Sequence, residues 1–154
     1  QQDLPAGGFF QTQSPLYIYR VQQADKTVAI IFDVVAPDGY NGDIRVILGI
    51  HRDGRLLGSR VTQHRETPGL GDAIEHEKSD WMKQFDGLNL VLISSDQWQV
   101  RRQGGNFDAI TGATVTSNAI IGLIERTLRY AKTNHHQLFE QSLAEAPAKQ
   151  SGEG

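Results

Sequence analysis

The chain has 154 residues, of which 38% are hydrophobic and 21% are charged, and its formal net charge at pH 7 is −3. This length and composition are ordinary for one globular domain with a hydrophobic core. The sequence has no cysteine, which excludes disulfides, iron–sulfur clusters and thiol catalysis. Its weakly negative charge provides no basic field for nucleic acid, so we expect no nucleic-acid partner.

Strand patterns fill the first part of the chain. Apolar and β-branched residues predict strands over residues 16–21 and 27–35. Two further strands, over residues 44–50 and 56–62, flank the sequence Arg52-Asp53-Gly54-Arg55. The Asp-Gly pair favours a tight primed turn, so these two strands should form a hairpin.

Shorter elements are predicted after this hairpin. Helical pieces are expected over residues 72–77 and 79–85, the second with Ser79 as its cap, and strands over residues 88–93 and 98–101. Early hairpins followed by a late helix favour an α+β fold, with an antiparallel sheet and flanking helices.

Helices are predicted near the C-terminal end. Ile120, Ile124 and Leu128 recur at helical spacing, which predicts a helix over residues 117–133 with Thr116 or Ser117 as its N-cap. A second helix is predicted over residues 136–144, and residues 146–154 are typical of a loose tail.

The segment before the long helix carries the most specific pattern in the chain, Asp108-Ala109-Ile110-Thr111-Gly112-Ala113-Thr114-Val115-Thr116 (the 108–116 motif). Gly112 and Ala113 are small, so another molecule can approach the backbone closely. The N–H groups and the dipole at a helix N-terminus suit a phosphate, which a threonine hydroxyl can hydrogen-bond or esterify. Gly-Ala-Thr before a helix is also ordinary capping chemistry, so only the full spacing from Asp108 to Thr116 indicates a binding site.

Two loops resemble the signatures of one family. The spacing Asp108-x-x-Thr111-Gly112-Ala113-Thr114-x-Thr116 is similar to the flavinylation motif of extracytoplasmic FMN-binding domains. Glu66-Thr67-Pro68-Gly69-Leu70-Gly71 (the 66–71 loop) looks like the family's other signature loop. Together they resemble the G subunit of the Rnf (or Rsx) ion-translocating electron-transport complexes, a relative of the C subunit of the sodium-translocating NADH:quinone reductase.

The resemblance implies a covalent cofactor. In that family an ApbE-type flavin transferase takes FMN from FAD and joins its phosphate to the last Thr or Ser of the motif, which is Thr116 here. The other motif residues then belong to the cofactor site: Asp108, Thr111, Gly112, Ala113 and Thr114. We expect Asp108 to help present the motif to the transferase.

The 66–71 loop is expected to form the ring side of the flavin site, next in space to Thr116. Gly69 gives the loop its turn, Thr67 adds a hydroxyl, and Leu70 is expected to lie against the isoalloxazine face. Two roles stay open for Glu66, which are bonding the ribityl hydroxyls and fixing the loop. By itself, Pro-Gly after a strand is an ordinary turn signal.

The implied protein is an electron-relay subunit without substrate turnover of its own. Its expected partners are the other subunits of a membrane complex and the transferase. The chain begins Gln1-Gln2-Asp3 without methionine, so we expect it to be a fragment trimmed at its N-terminus. The resemblance implies a single-pass helix upstream, in the inner membrane, with this domain on the periplasmic side. The expected organisation is a lead-in over residues 1–14, an FMN-binding domain over 15–135, and a C-terminal helix and tail over 136–154.

Two alternatives stay open at this point. One is a module that binds a phosphate-bearing ligand or flavin without a covalent bond, and the other is a structural subunit of a membrane complex. The five histidines do not follow the spacing of a metal site, so no metal is expected.

Overall fold

An antiparallel sheet forms the frame of the protein. The computed structural model describes residues 1–4 and 7–141, and within them the sheet has five strands in the order β1-β2-β3-β4-β5. The strands are β1 (Gln2–Asp3), β2 (Tyr17–Gln23), β3 (Lys26–Gly39), β4 (Gly42–His51) and β5 (Leu56–Gln63). The helices are α1 (Gly7–Phe10) and α2 (Thr114–Thr133), so the predicted α+β class is confirmed.

The core lies between one face of the sheet and α2. Alternate residues of β4, from Ile44 to Ile50, are fully buried, while the residues between them are partly exposed. This alternation follows from the two-residue period of a strand. Apolar residues of α2 recur at helical spacing and pack against β3 and β4, which fixes the position of the helix N-terminus.

The predicted hairpin is present, but its turn differs from the prediction. His51 N–H donates to the carbonyl of Arg55, and only Gly54 between them has a positive φ. The type I′ turn that Asp-Gly favours needs a positive φ at both central residues, and a three-residue loop over residues 52–54 forms instead. The two-residue turn with positive φ at both positions, Ala24 and Asp25, joins β2 to β3.

The segment between the sheet and α2 contains four 3₁₀ turns, of which the first two overlap the helical pieces predicted over residues 72–77 and 79–85. The turns span Gly71–Ile74, Trp81–Phe85, Ser95–Gln97 and Arg101–Gln103. The strand predicted over residues 88–93 is wrong because the Asn89 side chain accepts hydrogen bonds from the N–H groups of Val91 and Leu92, which folds the backbone into a turn. Of residues 98–101, only Val100 makes a bridge, with Phe107, so that strand is also wrong.

The C-terminal part of the described chain ends in a short π-helical turn, His136–Glu140. It covers the start of the helix predicted over residues 136–144 and ends before Gln141, whose backbone is extended. Residues 142–144 of that prediction, with the predicted tail, lie outside the described residues. Among the residues described, no helix is long and apolar enough to cross a bilayer.

Candidate functional site

The N-terminus of α2 begins three residues earlier than predicted. Ser117 N–H donates to the carbonyl of Ala113 at 3.0 Å, so Ala113 is the N-cap and Thr114 the first helical residue. The prediction of Thr116 or Ser117 as N-cap is therefore wrong. Ser117 is buried, and its hydroxyl accepts from the N–H of Ile110 and donates to the carbonyl of Ala113, which ties the motif to the first turn.

Thr116 is the third residue of α2, and its hydroxyl does not cap the helix. Its Oγ1 donates to Oε1 of Glu66 at 2.5 Å, a contact between residues 50 positions apart. Both residues are buried, with exposed fractions of 2% for Thr116 and 4% for Glu66. The 108–116 motif and the 66–71 loop therefore meet at these two side chains.

The Glu66 carboxylate accepts every hydrogen bond that it makes. Tyr40 N–H donates to Oε1 at 2.9 Å and Asn41 N–H donates to Oε2 at 3.0 Å, both from the turn between β3 and β4. The backbone N–H of Glu66 donates to Nδ1 of His64, and Nε2 of His64 lies 2.7 Å from Oε2 of Glu75. Of the two roles left open for Glu66, these contacts correspond to fixing the loop.

The 66–71 loop is held at its far end by Asp72. Asp72 Oδ1 accepts from Gly69 N–H at 2.9 Å, and its Oδ2 lies 2.7 Å from Nζ of Lys78. The Lys78 ammonium, followed by the Gly69 N–H, lowers the pKa of the Asp72 carboxyl. Thr67 carbonyl accepts from the N–H of Leu70 at 3.0 Å, which closes a tight turn at the exposed side of the site.

Exposed hydrophobic residues occur in each of the three segments that form the site. Leu70 is 44% exposed, Val115 is 51% exposed and Tyr40 is 67% exposed. Gly112 has φ +78°, and a Cβ at this position would lie 3.1 Å from Cδ2 of Leu70. The loop and the motif therefore also approach each other at the surface, where only a glycine fits without strain.

The outer residues of the motif lie apart from the Glu66–Thr116 contact. Asp108 is exposed and pairs with Arg101 at 2.8 Å, and its backbone carbonyl accepts from Nε1 of Trp81 at 2.7 Å. Thr114 Oγ1 accepts from Arg102 at 3.1 Å. The Thr111 side chain is exposed. The structure thus joins Thr116, Gly112 and the 66–71 loop, and places the remaining motif hydroxyls at the surface.

Sequence reasoning missed the part of the site formed by the turn between β3 and β4. Asn41-Gly42 is a recognisable turn signal, but the N–H groups of Tyr40 and Asn41 have no sequence signature for the carboxylate that they bind. Gly71, the last residue of the predicted loop, packs directly against Thr116. Among the described residues, no group of three or more His, Asp or Glu side chains is arranged to hold a metal.

The sequence profile of the FMN-binding domain matches residues 39–129. The chain belongs to the FMN-binding domain family. The matched range begins at the turn whose N–H groups bind Glu66 and ends within α2, so it includes both loops that meet at Thr116.

Similar curated proteins are named as the G subunit of an ion-translocating oxidoreductase complex. The Shewanella oneidensis protein is 44% identical over 132 residues, covering 86% of this chain and 62% of the relative. The Vibrio cholerae protein is 41% identical over 130 residues (84% and 62%), and the Escherichia coli O157:H7 protein is 45% identical over 123 residues (80% and 60%). The chain therefore spans about three fifths of the length of these relatives.

A solved structure has the same fold. The crystal structure of Shewanella oneidensis NqrC aligns with a TM-score of 0.63 and 19% sequence identity, covering 89% of this chain and 69% of that chain. At this level of identity the likeness establishes the architecture, an α+β domain with an antiparallel sheet.

Proposed function

We propose that this domain carries FMN as a phosphoester on Thr116. One observation carries the proposal: in a chain of the FMN-binding domain family, the last hydroxyl of the motif lies in the first turn of α2, is not used as a cap, and is held by Glu66. Ordinary capping, the alternative explanation of Gly-Ala-Thr, does not account for this hydroxyl, since the N-cap is Ala113 and has no side-chain cap bond.

The residues around Thr116 fit a phosphate-linked flavin. The first N–H groups of a helix have no intrahelical partner and favour a phosphate. The exposed apolar side chains of Tyr40, Leu70 and Val115 offer surface for an aromatic ring. Because the Thr116 hydroxyl is buried, part of the 66–71 loop has to move before the hydroxyl is esterified. When bound, FMN supplies the electron-transfer chemistry, and the protein holds it and tunes its potential.

We further propose that the domain works as an electron relay in a membrane-bound, ion-translocating oxidoreductase complex. The names of its relatives support this assignment. The proposed partners are the other subunits of that complex and an ApbE-type flavin transferase. A single-pass helix upstream of Gln1 would hold the domain at the periplasmic side of the inner membrane.

The test is intact-mass spectrometry of the protein after co-expression with an ApbE-type flavin transferase. The parent protein should gain the mass of one FMN moiety, and Thr116→Ala should gain none. Thr116→Ala removes one donor from a buried carboxylate, which costs about 1–3 kcal/mol of stability, so the variant should still fold. Thr111→Ala and Thr114→Ala are matched controls that should load as the parent does. Loading of Thr116→Ala, or peptide mapping of FMN to Thr111 or Thr114, would contradict the assignment.

The flavin absorbance of the same co-expressed protein, measured before and after denaturation, separates the two alternatives. A module that binds flavin without a covalent bond would be yellow when native and would lose its flavin on denaturation. A purely structural protein would show no flavin absorbance in either state. The burial of Thr116 favours neither alternative, whereas the family match at residues 39–129 favours a flavin over a structural role.

A further inference from the structure

We propose that Glu66 is the general base for the esterification of Thr116, so that the acceptor domain contributes a catalytic residue to its own modification. This inference rests on the proposed covalent attachment. It concerns the unmodified protein, in which the hydroxyl still carries its hydrogen.

The first support is the distance between the two reacting groups. A threonine hydroxyl is a weak nucleophile until a neighbouring base takes its proton. A base has to lie within hydrogen-bond reach of that proton, and Oε1 of Glu66 accepts from Oγ1 of Thr116 at 2.5 Å. Both side chains are buried, so bulk water does not compete with Glu66 for the proton.

The second support is the way in which Glu66 is oriented. The N–H groups of Tyr40 and Asn41 hold Oε1 and Oε2, so the carboxylate is fixed by a group outside the loop that carries it. This arrangement of nucleophile, base and orienting group is the general pattern of activated hydroxyls. Backbone amides keep their protons at physiological pH. Of the three hydrogens donated to Glu66, that of Thr116 is therefore the one available for transfer.

The third support is the close packing that keeps the pair in contact. A Cβ on Gly71 would lie 2.9 Å from Oγ1 of Thr116 and 2.9 Å from Cβ of Glu66. Real Cβ atoms do not make such short contacts, so a side chain at position 71 would push the two groups apart. The absence of a side chain at Gly71 therefore allows the backbone to pack against Thr116 and Glu66 while they stay hydrogen-bonded.

Access for the phosphate does not require the base to leave. Pro68, Gly69 and Leu70 are exposed, whereas Glu66 is buried and bound to the turn between β3 and β4. Opening the loop at residues 68–70 breaks the bonds that the N–H groups of Gly69 and Leu70 donate to Asp72 and Thr67. It does not break the bonds from the turn between β3 and β4 that hold the carboxylate. The N-terminus of α2 is then beside the incoming phosphate, where its N–H groups favour negative charge.

The step balances as a phosphoryl-group transfer from FAD, the co-substrate of the transferase. Thr116 Oγ1 forms a bond to the phosphorus on the flavin side of the FAD pyrophosphate, and its proton passes to Oε1 of Glu66. The bond between that phosphorus and the bridging oxygen breaks, and AMP leaves with the oxygen. The proton on Glu66 then passes to solvent or to the departing phosphate, and no oxidant or reductant is needed.

The experiment measures the rate of covalent FMN gain with purified transferase and FAD, using Glu66→Gln. The glutamine keeps the size of the side chain and one oxygen acceptor, but it does not take a proton, and its NH2 group replaces one of the two oxygens that accept from the N–H groups of Tyr40 and Asn41. We expect kcat for loading to fall by about 100-fold or more, the usual contribution of a general base, with no change in KM for the acceptor domain. Glu77→Gln is the matched control at an exposed glutamate and should load at the parent rate.

A second variant addresses a merely structural role. Glu66→Ala removes the carboxylate, and added formate should restore its loading rate in proportion to formate concentration, while the parent and Glu77→Gln should not respond. Loading of Glu66→Gln at the parent rate, or a Glu66→Ala defect that formate does not relieve, would overturn the assignment. If the parent protein itself gains no FMN on Thr116, the proposed function fails and this inference fails with it.

Discussion

Leu70 and Thr67 lie on the exposed side of the site, where their side chains contribute little to the core. Leu70 is 44% exposed, and the Thr67 hydroxyl accepts one hydrogen bond from the Asn41 side chain at 3.3 Å. A phosphate link holds only one end of FMN. The ribityl chain therefore leaves the ring free to swing unless a second surface holds it, and we propose that the 66–71 loop is that surface.

We predict that Leu70→Ala and Thr67→Ala keep covalent FMN but change the absorbance, fluorescence or reduction potential of the flavin. A change of about 60 mV in a one-electron step corresponds to about 1.4 kcal/mol, the size of one good hydrogen bond to a charged group. Redox titration of the loaded protein measures it. Leu57→Ala, at an exposed leucine on β5, is the control and should leave the potential unchanged. Identical spectra and potentials in all variants would show that the loop does not contact the ring.

Some residues of the site were predicted from the sequence and others were not. The sequence motifs singled out Thr116 and Glu66 and predicted that their two loops are neighbours in space, as the contact between these side chains shows. The prediction that Leu70 lies against the flavin ring stays a prediction. The direct contact between Thr116 and Glu66 was not predictable in detail, because it depends on how α2 packs against the sheet. The backbone N–H groups of Tyr40 and Asn41 could not be predicted as donors to Glu66, because every residue except proline has such a group.

At the scale of elements, β2 to β5 follow from the sequence because their patterns are long and regular, whereas the two-residue strand β1 was not predicted. β4 and β5 were predicted within two residues at each end, since buried and exposed positions alternate along β4. The strand predicted over residues 88–93 failed because the local hydrogen bonds of Asn89 outweighed a short apolar run. Val91 is 85% exposed as a result.

The start of α2 shows a similar competition between local signals. Hydroxyl residues are good N-caps, which favoured Thr116 or Ser117. In the structure, Gly112 with its positive φ turns the chain earlier, and the buried Ser117 hydroxyl binds Ile110 and Ala113 from inside the first turn. A cap preference of about 1 kcal/mol does not decide the boundary when these tertiary contacts oppose it.

The outer part of the 108–116 motif is predicted to act in recognition by the transferase. Asp108 and Arg101 form an exposed ion pair, and such pairs contribute between 0 and about 1 kcal/mol to stability. Trp81 and Gln84 bind the backbone of Asp108, so these contacts do not depend on its side chain. Asp108→Ala should therefore stay folded yet gain little FMN.

The measurement for Asp108→Ala is the covalent FMN fraction by intact mass, with the thermal midpoint recorded in parallel. Asp86→Ala, at another exposed aspartate, is the control and should load fully. Gly112→Val should also load poorly, but it adds strain at a positive φ of about 1–3 kcal/mol, so its stability has to be measured beside its loading. Full modification of Asp108→Ala would show that this residue is not needed for recognition.

At the scale of the whole molecule, the site and the C-terminal end of the described chain lie at opposite ends of β3. Tyr40 and Asn41 follow the end of β3, whereas Arg52 joins its start to the C-terminal turn through the carbonyls of Thr27 and Phe139, each at 2.9 Å. A strand rises about 3.3 Å per residue, so these ends are on the order of 40 Å apart. A substitution at the C-terminal turn should therefore change the free energy of unfolding without changing FMN attachment at Thr116.

A substitution of Phe139, in the C-terminal turn, tests whether stability and FMN loading are independent. It is 4% exposed and belongs to the same core as α2 and the sheet, with the His135 ring 4.8 Å away. Phe139→Ala should lower the free energy of unfolding by about 3–5 kcal/mol, as expected for loss of a buried aromatic ring. In a domain of this size each kcal/mol lowers the melting temperature by about 2–4 °C, so the variant should melt roughly 6–20 °C below the parent.

Loading of Phe139→Ala with FMN, measured well below its melting temperature, should match the parent in extent and in flavin spectrum. The reason is that the Thr116–Glu66 contact and the N–H groups that hold Glu66 are all at the far end of the sheet. Gln137→Ala, in the same turn but with an exposed side chain, is the control and should change neither stability nor loading. A shifted flavin spectrum in Phe139→Ala alone would show that packing at the C-terminal turn is transmitted along the sheet to the site.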